Sequence, residues 1–140
     1  MKALVSIITP AYNSAKFIAE TIQSVQNQTH ENWEMIIVDD GSSDETLAIV
    51  QAFIDKDKRI KFYKLALNSG PAVARNTAIE KASGDFMTFI DADDIWFPTF
   101  IENSIKTIQE TKITFVFSSY KRSNEHMEFV YSDFIVPQKV

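Results

Sequence analysis

The sequence predicts an α/β protein built on a largely parallel, doubly wound sheet. Three observations lead there. Short apolar runs recur along the chain, each stops at a turn-forming or polar residue, and most are followed by a stretch whose apolar residues repeat at helical spacing. Most of the runs are apolar on both faces, as strands must be when helices cover the sheet on each side.

Taken in order, residues 5–9 (VSIIT) are the first expected strand, closed by Pro10. Ile18, Ile22 and Val25 then mark the inner face of a helix reaching Gln28. Residues 35–38 (MIIV) repeat the strand signal and stop at Asp39-Asp40-Gly41. Ser42 and Glu45 follow at capping-box spacing, before a helix with Leu47, Val50 and Ile54 turned inward. Residues 60–65 form a third, more alternating strand. Ser69-Gly70-Pro71 supplies an N-cap and a proline at the first helical position, and the helix behind it, lined by Ala74, Ala78 and Ala82, ends at Gly84. Residues 86–90 are the fourth strand. An acidic loop follows, then a helix from Pro98 with Ile101, Ile105 and Ile108 on one face. Residues 114–118 read as a fifth strand and residues 127–131 as an edge strand. No linker, repeat or low-complexity segment interrupts the chain, so residues 1–140 are expected to make one domain.

This architecture locates a site before any chemistry is considered. In open parallel sheets, ligands bind beyond the carboxyl ends of the strands where the strand order reverses. In the commonest doubly wound order that point lies between the first and fourth strands. Pro10, Ala11, Tyr12 and Asn13 then face Asp91, Ala92, Asp93 and Asp94 across a crevice, with Asp39 and Asp40 beside them.

Composition bounds the function. Apolar residues make up 45% of the 140, charged residues 24%, and there are only 3 Gly and 4 Pro, the balance of a folded chain. The net charge of -5 and the scattered Lys and Arg argue against a nucleic-acid partner. Without cysteine there is no disulfide framework and no thiolate metal site. The first residues lack the pattern of a signal peptide, and no apolar stretch approaches the ~20 residues that span a bilayer. The expected location is cytoplasmic.

The acidic loop carries the chemistry. Asp91, Asp93 and Asp94 follow an apolar strand and lead into Ile95, Trp96 and Phe97, so the loop is not wholly solvated. As a bland turn, it would use one Asp as an N-cap and the others against the helix dipole. Carboxylates held close together, however, repel unless a cation lies between them. A hard divalent ion, Mn²⁺ or Mg²⁺, takes one or two carboxylates and completes its shell with phosphate oxygens and water. An acidic protein can then accept a diphosphate through the metal. Asp39 and Asp40 either open a turn or accept from a base or ribose hydroxyl. Tyr12 is a stacking face or a lid on the core, and Arg75 contacts a ligand or pairs with an Asp of the acidic loop. His30 and His126 lack ligand-spaced partners and read as surface residues, whereas Trp33 and Phe62 read as packing residues. Neither a Gly-x-Gly-x-x-Gly nor a Walker loop is present.

In these motifs the chain resembles the inverting family 2 glycosyltransferases. The segments "VSIITPAYN", "SVQNQTHENWEMIIVDDGSSDET", "NSGPAVARNTAIEKASGDFMTFIDADD" and "FP" appear in order. The resemblance implies a Rossmann-like fold of the glycosyltransferase A type. It implies that Pro10 to Tyr12 line a nucleotide pocket, that Asp40 contacts the base, and that Gly70 and Arg75 lie near base and phosphates. It further implies that Asp91 and Asp93 bind nucleotide and metal, with Asp93 the direct ligand. The expected reaction is transfer of a sugar, with inversion, from a uridine diphosphate sugar to an acceptor hydroxyl of a carbohydrate, lipid-linked or protein acceptor. A lipid-linked acceptor would bring the protein to the inner membrane face.

The general base of such enzymes lies well downstream of the Asp-x-Asp. Glu125, Glu128 and Asp133 have no matching context, so the base is expected beyond Val140 and the chain reads as a donor-binding half, truncated before its acceptor half. That leaves a non-catalytic nucleotide-sugar-binding module as the alternative, and self-association through exposed sheet surface as a corollary. A phosphohydrolase of the haloacid dehalogenase kind also carries Asp-x-Asp after a strand, but on its first strand rather than its fourth.

Overall fold

The computed structural model describes residues 3–121, 123, 124 and 126. The chain divides into two compact units, Met1–Glu102 and Asn103–Val140. The first contains β1 (Val5–Ala11), α1 (Ile18–Gln26), β2 (Trp33–Asp39), α2 (Thr46–Ile54), β3 (Ile60–Lys64), α3 (Pro71–Glu80) and β4 (Phe86–Phe89). All strand pairings are parallel, in the order β3-β2-β1-β4. The strands with the longest apolar runs take the centre. Every residue of β1 and β2 is buried, whereas β3 and β4, at the edges, are half-buried.

The first two crossovers step one way from β1 and the third returns past it, so right-handed connections place α1 and α2 on one face and α3 on the other. Ile8, Ile36 and Val38 pack against Ala74 and Ala78 on the α3 face, with Tyr63, Leu65, Ile79 and Ala82 at the margin. The alanines let α3 approach the sheet closely, as expected. Gly84, before β4, is closer still: a Cβ there would lie 2.7 Å from the Ser6 amide nitrogen and 2.8 Å from the Leu4 carbonyl oxygen.

At the amino ends of the strands, one buried carboxylate joins all four. Glu34 on β2 accepts from Ser6 Oγ of β1 at 2.7 Å, from Lys61 Nζ of β3 at 2.6 Å, and from the Ser83 amide and hydroxyl ahead of β4 at 2.7 and 2.9 Å. Burial alone would raise its pKa, but the Lys61 ammonium and the Ser6 and Ser83 hydrogen bonds hold it at about 2.

Four local expectations are corrected. Ser42 and Glu45 do not form a capping box: α2 starts at Thr46, whose amide and hydroxyl donate to Asp44 Oδ1, while Ser42 donates to Asp39. Gly70, with φ of 91°, is the N-cap before Pro71 as expected, but α3 stops at Glu80 rather than at Gly84. His30 is buried, its Nε2 2.9 Å from the Ala3 carbonyl oxygen. Residues 114–118 form no strand. Phe115 and Phe117 there are exposed, with rings 6.2 Å apart. Alternating apolar residues supply strand propensity, but a strand exists only where its backbone groups find a ladder. The edge strand expected at 127–131 lies outside the described residues. The helix expected from Pro98 is α4 (Phe100–Thr111). Among the described residues no helix is long and apolar enough to cross a membrane.

Candidate functional site

β1 outruns its pairing with β4. The β1–β2 register continues to Ala11↔Asp39, whereas β1–β4 pairing ends at Ile8↔Phe89, with one more bond from the Ile90 amide to the Ile8 carbonyl. Beyond this point the β1–β4 ladder ends, and residues 10–13 and 91–94 follow the carboxyl ends of the two strands where the strand order reverses.

The loops after β1 and β2 are laced together. The Asp40 amide donates to the Ala11 carbonyl at 2.8 Å. The Asn13 amide donates to Ser42 Oγ at 2.8 Å, and Asn13 Oδ1 accepts from the Ser43 amide at 2.9 Å. Asn13 has φ of 46°, a left-handed conformation that asparagine tolerates better than most residues. The Ser14 amide donates to Thr46 Oγ1 and the Ala15 amide to Asp44. Despite some desolvation, the hydrogen bonds from Thr46 and Ala15 hold the Asp44 carboxyl below its usual range. Asp40 reaches the third loop: its two carboxylate oxygens accept from the Ser69 amide at 2.6 Å and the Gly70 amide at 2.8 Å. The positive φ of Gly70 belongs to this same turn.

The acidic loop is fastened to α1 and to Gln28, two residues past its end. Thr21 Oγ1 donates to the Ala92 carbonyl at 3.0 Å, the Trp96 amide donates to Ser24 Oγ at 3.2 Å, and Gln28 Nε2 donates to the Phe97 carbonyl at 2.8 Å. In the sequence, Ile18, Ile22 and Val25 mark only the apolar face of this helix. The missed signal was polar residues at 21, 24 and 28, the spacing of a second stripe beside Ile18, Ile22 and Val25.

The predicted site residues separate into two groups. Tyr12 (53% exposed), Asn13, Asp91 and Asp93 present side chains to solvent, and Arg75 is half-exposed. Pro10, Ala11, Asp39, Asp40 and Ala92 are buried, and Gly70 is half-buried. Asp39 is fully buried and accepts from the Ser42 amide and hydroxyl, with Lys64 Nζ 4.0 Å away; its carboxylate builds the turn. Asp40 keeps a free lone pair on each oxygen after binding the two amides. Arg75 donates to Asp91 Oδ1 at 2.9 Å, which joins α3 to the acidic loop. Glu125, Glu128 and Asp133 lie outside the described residues.

The residues fit a divalent ion that relies on its ligand for most of its shell. No three His, Asp or Glu side chains form a metal cage among the described residues. Asp91 and Asp93 instead offer exposed oxygens in the loop after β4, the one or two carboxylates that Mg²⁺ or Mn²⁺ takes beside phosphates and water. Negative charge is concentrated there: partial desolvation, followed by the like charges of Asp93 and Asp91, holds the Asp94 carboxyl above its usual range.

Residues 6–137 match Glycosyl transferase family 2. The chain belongs to that family. This family 2 chain is 45% identical over 119 residues to TuaG of Bacillus subtilis, provisionally named a teichuronic acid biosynthesis glycosyltransferase; the match covers 85% of the chain and 47% of TuaG. It is 41% identical over 137 residues to the Escherichia coli UDP-Glc:alpha-D-GlcNAc-diphosphoundecaprenol beta-1,3-glucosyltransferase WfgD, covering 98% of the chain and 53% of WfgD. The chain thus spans about half the length of these curated relatives. Among solved structures, Staphylococcus aureus TarS 1-349 in complex with UDP superposes with a TM-score of 0.71 at 37% identity, over 76% of this chain and 32% of that one. The mannosyltransferase PcManGT of Pyrobaculum calidifontis, in complex with GDP-Man and Mn²⁺, gives 0.72 at 26% identity, over 77% and 33%. The fold is of the glycosyltransferase A type, and the four-stranded sheet is part of it.

Proposed function

We propose that this chain is the donor-binding part of an inverting, metal-dependent glycosyltransferase that takes a uridine diphosphate sugar. The observation that carries this reading is the end of β1–β4 pairing at Ile8↔Phe89, beyond which β1 runs on toward Tyr12, beside Asp40, and the loop after β4 carries Asp93 and Asp91, the latter bonded to Arg75. The UDP in the TarS complex and the GDP-Man with Mn²⁺ in the PcManGT complex support a sugar nucleotide there. Tyr12 stacks on the base, Asp40 orients it from the strand end, and Arg75 exchanges part of its bond to Asp91 for the diphosphate. Asp93 is the direct metal ligand and Asp91 shares it. Bound Mn²⁺ or Mg²⁺ supplies the positive charge that stabilises the leaving diphosphate. The acceptor hydroxyl and the base that deprotonates it belong to the part of the enzyme that shapes the acceptor site.

WfgD is named for a diphosphoundecaprenol-linked acceptor, which supports a lipid-linked acceptor here and a cytoplasmic location at the inner membrane face. Calorimetric titration with UDP tests the donor site. UDP binds more tightly with Mn²⁺ than without, and Asp93→Ala removes the difference; equal affinities in all cases would sink the reading. Exposed Met87 and Phe89 on edge strand β4 support self-association of the isolated chain. Gel filtration across a concentration series should show a dimer at high concentration, and a monomer throughout refutes it.

A further inference from the structure

Thr21, Ser24 and Gln28 are polar yet at least nine-tenths buried, at 0%, 7% and 4% exposure. Such groups are costly inside a protein unless each finds a partner. Almost all of their partners lie in the acidic loop or in the helix itself. Besides the three bonds already described, Ser24 Oγ donates to the Thr21 carbonyl at 2.7 Å, Gln28 Nε2 to the Ser24 carbonyl at 3.1 Å, and Gln28 Oε1 accepts from the Ile101 amide at 3.1 Å. The Thr29 amide adds a bond to the Pro98 carbonyl at 2.9 Å. The loop has no regular structure of its own between β4 and α4.

The placement of the Thr21 bond matters most. The Ala92 carbonyl belongs to the peptide unit that leads into Asp93. Because that unit is planar, fixing its oxygen fixes the plane from which the Asp93 backbone departs. On the other side of Ala92, Asp91 is held between this anchor and the Ile90 amide bond to β1.

We infer that Thr21, Ser24 and Gln28 are positioning residues for the divalent-cation site, and that α1 sets the direction in which Asp91 and Asp93 project. The inference rests on the functional reading above. A merely structural stripe would change stability alone. A positioning stripe changes metal affinity in a protein that is still folded, since partners behind a metal ligand typically contribute about 10- to 100-fold to affinity.

The test is Mn²⁺ binding in the presence of saturating UDP, read by electron paramagnetic resonance of free Mn²⁺, beside UDP affinity without metal. Thr21→Val and Gln28→Met weaken Mn²⁺ by about 10-fold and leave metal-free UDP affinity within about twofold; Thr21→Ser restores wild-type binding. If Thr21→Val does not fold, Ser24→Ala, which removes the acceptor for Trp96 and the donor to the Thr21 carbonyl, weakens Mn²⁺ by about fivefold. Folded variants with wild-type Mn²⁺ affinity overturn this inference alone. A wild-type chain whose UDP binding ignores Mn²⁺ overturns the functional reading, and this inference with it.

Discussion

Glu34 at the amino end of the sheet and the loop of Asp91 and Asp93 at its carboxyl end use carboxylates in opposite ways. At the amino end, Glu34 is buried, receives donors from β1, β3 and the segment before β4, and titrates at about 2. At the carboxyl end, Asp91 and Asp93 are exposed, and their charge helps raise the pKa of Asp94. Asp91 meets one cation, Arg75, at a half-exposed position. The chemical group is the same; the difference is whether the protein completes its coordination. A completed carboxylate contributes stability, and an incomplete one leaves room for a ligand.

Mutations should therefore divide along the sheet. Glu34→Ala strands the Lys61 ammonium and the Ser6 and Ser83 donors and should cost about 3 kcal/mol of unfolding free energy, with UDP affinity of the folded protein unchanged. Denaturant unfolding measures the first and titration the second; a loss of UDP affinity in the folded protein would erase the division. The same group gives the wild type an acid limb. The folded pKa of about 2 lies below the unfolded value of 4.5, so the stabilisation is complete above 4.5 and fades as pH falls toward 2. Glu34→Gln should flatten that limb in unfolding curves taken from pH 5 to 2, and a limb of unchanged slope assigns it to other groups. At the opposite end, Tyr12→Ala should weaken UDP binding by about 1 kcal/mol and leave the melting temperature unchanged, because Tyr12 is mostly exposed. A lowered melting temperature with intact UDP binding would make Tyr12 a lid on the core instead.

The central strands and the reversal of strand order were legible in the sequence because both follow from chain-wide regularities. Residues 5–9 and 35–38 are apolar on both faces, which only the middle of a covered sheet accommodates. The reversal of strand order is that of the commonest doubly wound arrangement, which alternating strands and helices call for. What stayed hidden depends on partners distant in sequence. His30 looks exposed until the Ala3 carbonyl is placed against it. Asp39 and Asp40 are adjacent and chemically identical, yet one turns to Ser42 and the other to the amides of residues 69 and 70. Thr21, Ser24 and Gln28 carry meaning only once the acidic loop lies across α1. Residues 114–118 have the alternation of a strand but no ladder to join.

The most direct measurement is anomalous diffraction from crystals of this chain soaked with Mn²⁺ and UDP. The account predicts a single manganese peak within bonding distance of an Asp93 carboxylate oxygen and of the diphosphate, with Asp91 turned toward it. A diphosphate bound without manganese, or manganese bound away from residues 91 and 93, would contradict it.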